Sequence, residues 1–338
     1  SPQSQQRYDE EVMMLAPKSV CISHGEDADG LICAAYLRRL RDAPSILVTY
    51  DELPDALRSL EPPLDELYIC DLNIREGLLD EILRVSGFAR VTLVDHHPTA
   101  GEILEELGRS GVTVVHSSLD CAGALLYDHF RGELGREGAR LAAYAAISDQ
   151  FEEGPIASRL LLEFDRQFVQ HEALILNHAL FHSDTADFRS LVVDELSRFA
   201  FPHRIRGVEG AALAHLEHMA VLLETLPEAA SRRSRLAHVE APGEASLGAV
   251  AGLLIDAMGV DVGVCYRKNG DALNVSIRSR RGLEFHLGEL TKRLAERYGG
   301  FGGGHKRASG ASIPQQSLMS FICDLESELP PPPTHGSQ

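Results

Sequence analysis

The sequence predicts an α/β architecture in which a parallel-sheet domain is joined by a helical linker to a smaller α+β domain. Three patterns carry this. Short apolar runs alternate with amphipathic helical stretches in the first half. The pattern is helical from about residue 120 to 225. Strand patterns return near residue 236 around an Asn269-Gly270 pair.

Taken in order, the candidate strands of the first half are SVCIS, SILVTY, ELYICDL, ARVTLVDHH and GVTVVHS. Between them, stretches such as EGLLDEILRVSG and TAGEILEELGRSG show helical spacing of apolar residues. Strands interleaved with such helices build parallel βαβ units, and ligands bind beyond the carboxyl ends of those strands. The helical stretches CAGALLYDHF, REGARLAAYAAISDQF, ASRLLLEFDRQFVQHEALILNHAL and GAALAHLEHMAVLLETL follow. Then come LAHVEA, a helix SLGAVAGLLIDAM, and VDVGVCYRKNGDALNVSIRS, whose Asn-Gly pair marks a hairpin. A last helix, EFHLGELTKRLAERYG, leads into GGFGGGHKRASG, and PPPPTHGSQ reads as a disordered tail. The domains expected are residues 1–190, a linker at 191–235, residues 236–328, and a tail at 329–338.

A chain of 338 residues accommodates two cores. No apolar run approaches the roughly 20 residues of a membrane helix, and SPQSQQRYDEEVMML lacks the features of a signal peptide. The cysteines Cys21, Cys33, Cys70, Cys121, Cys265 and Cys323 lie far apart, as expected of reduced thiols in a cytoplasm. A net charge of -18 opposes a broad basic face for long nucleic acid. Short nucleotides remain compatible with it if positive charge is local or supplied by metal ions.

The first apolar run ends in HGEDADG, where His24, Glu26, Asp27 and Asp29 crowd together. Such carboxylates repel one another and call for a cation; the alternative is a solvated turn with Asp29 capping the next helix. Other strand ends add to the set: Asp71 closes ELYICDL, and Asp95, His96 and His97 close ARVTLVDHH. Asp149 follows a helical run. Asp and His without cysteine suit Mn²⁺ or Mg²⁺ better than a structural zinc. Two ions about 4 Å apart can activate water and stabilise the leaving oxygen of a phosphate ester.

These residues resemble the DHH phosphoesterase superfamily, which includes RecJ exonucleases, nano-RNases and manganese pyrophosphatases. VDHHP carries the name motif, HGEDADG resembles motif one, CDLN motif two and AISDQ the fourth. RSRRGLEFHLGELTKRLAERYGGFGGGHKRASG resembles the DHH-associated C-terminal domain. The resemblance spans roughly residues 18 to 325 and implies an active site in the cleft between the two domains. It implies that His24, Asp27, Asp29, Asp71, His96 and Asp149 bind two Mn²⁺, with Mg²⁺ or Co²⁺ as substitutes and Asp71 bridging. The gap from His24 to Asp27 departs from the family's patterns, so either His24 or Glu26 fills the first metal position. Asp95 resembles the acid that orients an imidazole, and His97 the residue near the scissile phosphate.

In the second domain, glycine-rich GGFGGGH can bring backbone N–H groups close to a phosphate or sugar. Around it Arg278, Arg280, Arg281, Lys292, Arg293, Arg297, Lys306 and Arg307 face only Glu284, Glu289 and Glu296 in sequence, a basic island. The resemblance implies that Arg278, Gly302, Gly303, Gly304 and His305 hold substrate. His178 and His182, four apart on a helix, lack an accompanying acid and read as packed or solvated.

The resemblance implies a cytoplasmic, manganese-dependent phosphodiesterase that cuts short oligonucleotides or dinucleotides to mononucleotides with metal-activated water, or acts on 3′-phosphoadenosine phosphate. One alternative is a RecJ-like single-strand DNA exonuclease. Another, of a different class, is a non-catalytic replication scaffold or nucleotide sensor, against which the intact acid and histidine set counts. A homodimer and replication or repair partners stay open; a membrane partner is not expected.

Overall fold

A computed structural model describes residues 18–331. The chain divides into two compact units between His215 and Leu216, inside the stretch read as a helical linker. Most of the expected tail lies outside the described residues; Leu329 is buried.

The first unit runs β1 (Ser19–His24), α1 (Ala28–Arg41), β2 (Ser45–Val48), α2 (Leu53–Arg58), β3 (Glu66–Cys70), α3 (Leu79–Ser86), β4 (Arg90–Asp95), α4 (Gly101–Arg109) and β5 (Thr113–His116). It continues through α5 (Ala122–Ser148), α6 (Pro155–Leu161), α7 (Arg166–His182), α8 (Ala186–Ser197) and the start of α9 (Val208–Ala229). The strands pair in parallel in the order β2-β1-β3-β4-β5. Strand order reverses at β1 and β3, so the crevice beyond their carboxyl ends is the topological switch point, where such sheets take ligands.

Alternation along each strand explains why both faces of the sheet are covered. Val20 and Ile22 of β1 and Leu67 and Ile69 of β3 face the core built with α2, α3 and α4. Cys21, Tyr68 and Cys70 point the other way, against α1 and α5. Those two helices are rich in alanine there (Ala34, Ala35, Ala142, Ala146), and their small side chains let backbones approach the sheet closely. The two stretches CAGALLYDHF and REGARLAAYAAISDQF join into α5, broken by non-helical backbone at Phe130 and Gly135.

The second unit contains the end of α9, then β6 (Ser231–Arg232), β7 (Leu236–Glu240), α10 (Leu247–Met258), β8 (Val262–Asn269), β9 (Ala272–Ser279), α11 (Leu287–Arg297), β10 (Phe301–Gly304), β11 (Ala308–Pro314) and α12 (Leu318–Ser327). Its mixed sheet has the order β10-β11-β9-β8-β7-β6. The Asn269-Gly270 hairpin joins β8 to β9, with Gly270 at φ 60°. Helices α11 and α12 pack on one face through Leu287, Leu290, Leu294 and Phe321, and α10 on the other through Val250, Ala251 and Leu254.

Candidate metal centre

His24 and Asp95 end β1 and β4, and Asp71 directly follows β3, so the sheet itself delivers them to one edge. Two backbone features fit the chain into this corner. A Cβ at Gly30 would fall 2.0 Å from the carbonyl oxygen of His24, so only glycine lets α1 start against the end of β1. Asp71 takes a left-handed conformation, φ 57°, while its N–H bonds to the carbonyl of Val94. A non-glycine residue held there costs of order 1 kcal/mol, a strain typical of functional corners.

The acids divide the work of capping. Asp27 is the N-cap of α1 and accepts from Gly30 N. Asp29 instead caps α5, its carboxylate accepting from Ala122 N at 2.9 Å and Gly123 N at 2.7 Å. The reading of Asp29 as a solvated cap of the helix it precedes is therefore corrected: Asp29 is fully buried and caps a different helix.

Potential ligand atoms fall into three groups, within 4.8 Å of one another in each: His24, Asp27 and Asp71; Asp71, His96 and His97; Asp29, His96 and Asp149. Asp71 belongs to the first two and His96 to the last two, so the set is continuous. Nδ1 of His24 lies 2.9 Å from Asp27 and 3.5 Å from Asp71. Nε2 of His96 lies 3.1 Å from Asp71, 3.4 Å from Asp149 and 3.9 Å from Asp29. Glu26 reaches His24 Nε2 at 3.3 Å but keeps an exposed side chain, and it stands outside the three groups.

The electrostatics fit a divalent cation. Among the described residues, no lysine or arginine pairs with Asp27, Asp29, Asp71, Asp95 or Asp149; their ionic partners are histidines. Burial pushes Asp29 up to about 7, with the Asp71 charge adding to it, and likewise holds Asp149 well above the usual carboxylate range. Burial alone would lower His24 and His96. The hydrogen bond to Asp27 instead raises His24 to about 12, and that to Asp71 raises His96 to about 10. Protons thus supply part of the positive charge that this oxygen and nitrogen set requires, and hard-to-borderline ions suit the same donors.

Beside this set runs a hydrogen-bonded chain of three residues. Asp95 Oδ1 accepts from His97 Nδ1 at 2.7 Å, and the Tyr50 hydroxyl meets His97 Nε2 at 2.9 Å. The Tyr50 ring stacks on His24 with centroids 4.8 Å apart. Sequence reasoning missed Tyr50, although it ends the run SILVTY and so sits at the carboxyl edge of β2 with the others.

In the second unit the basic island is largely neutralised. Arg280 pairs with Asp261, Arg293 with Glu328, Arg297 with Asp324 and Lys306 with Glu284. Arg278 differs: its guanidinium bonds Ser276 Oγ at 3.2 Å and the Ile277 carbonyl at 3.0 Å, with no carboxylate partner among the described residues. Gly302, Gly303 and Gly304 form β10, and His305 N bonds the carbonyl of Ala308. The His178 ring lies tilted against His215, ring centroids 5.2 Å apart, and His178 belongs to none of the ligand groups.

Residues 239–329 match the family model of the DHHA1 domain. A comparison with curated proteins gives no match. Among solved structures, the chain is similar to a DHH domain described as a member of the S1P family of ribosomal proteins, with TM-score 0.71 and 16% identity over 94% of this chain and 87% of that one. It is also similar to PggH, a pGpG-specific phosphodiesterase from Vibrio cholerae, with TM-score 0.54 and 12% identity over 92% and 99% of the two chains. Exonuclease RecJ bound to manganese aligns with TM-score 0.56 and 20% identity over 95% and 94%. At these identities the structural likeness establishes the fold.

Proposed function

We propose that this chain, a member of the DHH phosphoesterase superfamily with a C-terminal DHHA1 domain, is a manganese-dependent phosphodiesterase that cuts short oligonucleotides or dinucleotides to mononucleotides. The observation that carries this reading is the continuous set of buried and half-buried Asp and His groups at the switch point of the sheet, with no lysine or arginine paired to its acids among the described residues. His24, Asp27, Asp29, Asp71, His96 and Asp149 would hold two ions, and the presence of His24 in a ligand group favours it over Glu26. Two divalent ions in such a set activate water and neutralise charge on a phosphate ester.

The chain's own residues do the rest. Asp95 fixes the His97 tautomer by accepting from Nδ1, so the neutral ring offers Nε2 as an acceptor, which Tyr50 caps. His97 then has one orientation, in which Nε2 can take up a proton and, having taken it up, hand that proton to the leaving oxygen. Asp29, tied to two N–H groups of α5, keeps that helix in register with the ligand set. Arg278 contributes a phosphate contact.

PggH supports a dinucleotide substrate, while RecJ supports the alternative of single-strand exonuclease action. Hydrolysis of a panel from dinucleotides to 30-mers with Mn²⁺ tests the reading. Preference for the shortest members supports it; preference for long strands favours exonuclease action. No turnover of any member overturns the enzyme reading.

A further inference from the structure

Which nitrogen of a histidine meets a metal is set by the hydrogen bond that the other nitrogen makes. The two ring nitrogens of His24 face different carboxylates. Nδ1 lies 2.9 Å from Asp27 Oδ2 and 3.5 Å from Asp71 Oδ2, inside one of the ligand groups. Nε2 lies 3.3 Å from Glu26 Oε2. Glu26 stands outside every ligand group and its side chain is 52% exposed, whereas that of His24 is buried.

Local folding holds this arrangement. Gly25 N bonds the carbonyl of Val48 at 3.0 Å, which carries the pairing of β1 with β2 one residue past His24. A Cβ at Gly25 would lie 3.0 Å from Leu47 Cβ, so glycine keeps the chain close to β2 before Glu26 returns toward the ring. Asp27 is fixed as well: Oδ1 accepts from Gly30 N as the cap of α1, and Oδ2 is left to face Nδ1. The Tyr50 ring lies on the imidazole with the planes 25° apart. A flip of the His24 ring about Cβ–Cγ, which would exchange Nδ1 and Nε2, drives its edge into Tyr50.

Ionised carboxylates only accept hydrogen bonds, so in the metal-free chain both nitrogens of His24 carry hydrogen. With a cation held by Asp27 and Asp71, only the hydrogen on Nδ1 has to leave. The hydrogen on Nε2 points at Glu26 and stays, which is the pattern of a ligating imidazole backed by a carboxylate. Such a backing acid orients the ring and raises its basicity.

We propose that Glu26 is the positioning residue for His24, holding Nε2–H so that the imidazole meets a metal ion through Nδ1. The inference rests on the metal-centre reading above and deepens it by giving Glu26 a role other than ligand. It also accounts for an acid placed between His24 and Asp27 in HGED.

Because Glu26 is exposed, Glu26→Ala should fold as the wild type does, with native circular dichroism. Mn²⁺ calorimetry on the chelator-stripped full chain should still count two ions, one of them held about 10- to 100-fold more weakly. Glu26→Gln, whose amide oxygen accepts from Nε2–H without a charge, should recover most of that affinity. Zn²⁺ serves as a diamagnetic probe of the ring. Long-range ¹H–¹⁵N spectra of the Zn²⁺-loaded protein, with His24→Asn to assign the ring, should show hydrogen on Nε2 and none on Nδ1. Unchanged affinity in Glu26→Ala, or hydrogen on Nδ1 with Nε2 bare, overturns the inference. So does equal weakening in Glu26→Ala and Glu26→Gln, which would assign the effect to charge alone. A whole site lost in both variants would make Glu26 a ligand and overturn it too. Two ions bound with the expected dependence on Glu26, but no turnover of any phosphodiester, keeps this inference and removes the enzyme reading. Mn²⁺-dependent turnover with unchanged affinity in Glu26→Ala does the reverse, so the two fail separately.

Discussion

Asp95 accepts from His97 with one carboxylate oxygen and keeps the other buried: Oδ1 lies 2.7 Å from Nδ1, while Oδ2 has no hydrogen-bond partner among the described residues. This commits Asp95 to holding the imidazole. Asp95→Asn should therefore lower kcat about 10- to 100-fold with little change in bound metal. Loss of metal in proportion to activity would show Asp95 to be a ligand instead.

The adjacent histidines should separate. His96 Nε2 faces Asp71, Asp149 and Asp29, whereas His97 is tied between Asp95 and Tyr50. His96→Ala should lose metal as well as rate; His97→Ala should keep most metal and lose mainly rate. Elemental analysis of both variants checks the division, and equal metal loss contradicts it.

Protonation gives a pH test. His24 and His96 rise from 6.5 to about 12 and about 10 in the folded chain. Their stabilising contribution is full below pH 6.5 and is lost as pH rises toward those values. Asp29 rises from 3.8 to about 7, so its proton favours the folded state below 3.8 and that contribution is lost between 3.8 and 7. Both signs agree that this centre favours folding less at higher pH without metal. Metal binding displaces these protons, so the Tm gain from Mn²⁺ over chelator should be larger at pH 8 than at pH 6. Thermal melts at the two pH values decide it, and a gain that shrinks with pH contradicts the assignment.

Arg278 should affect binding alone. Losing a charge-assisted phosphate contact costs about 1.5–3 kcal/mol, so Arg278→Ala should raise KM for a dinucleotide about ten- to a hundredfold. Metal content should stay unchanged, and bis-p-nitrophenyl phosphate, which lacks a nucleotide to anchor, should suffer much less. Equal losses on both substrates would make Arg278 a support for the fold.

The central strands were legible because the apolar runs of β1 and β3 are buried on both faces, and Asp71 and Asp95 because they stand at strand ends, where a sheet of this kind gathers them. What escaped the sequence depends on long-range neighbours. Asp29 caps a helix that begins at Ala122, and Tyr50 reaches His97 across the sheet edge. The basic island looked open because its counter-charges, Asp261, Asp324 and Glu328, lie outside it in sequence.

Mn²⁺ titration by calorimetry of the wild-type chain and of Asp71→Asn, each first stripped with chelator, tests the metal centre most directly. Asp71 stands in two of the three ligand groups and within 3.5 Å of both His24 and His96. The wild type should take up two ions per chain with release of protons, and Asp71→Asn should lose at least one site while its circular dichroism stays native. No uptake by the wild type, or an unchanged stoichiometry and affinity in Asp71→Asn, would contradict a centre bridged by Asp71.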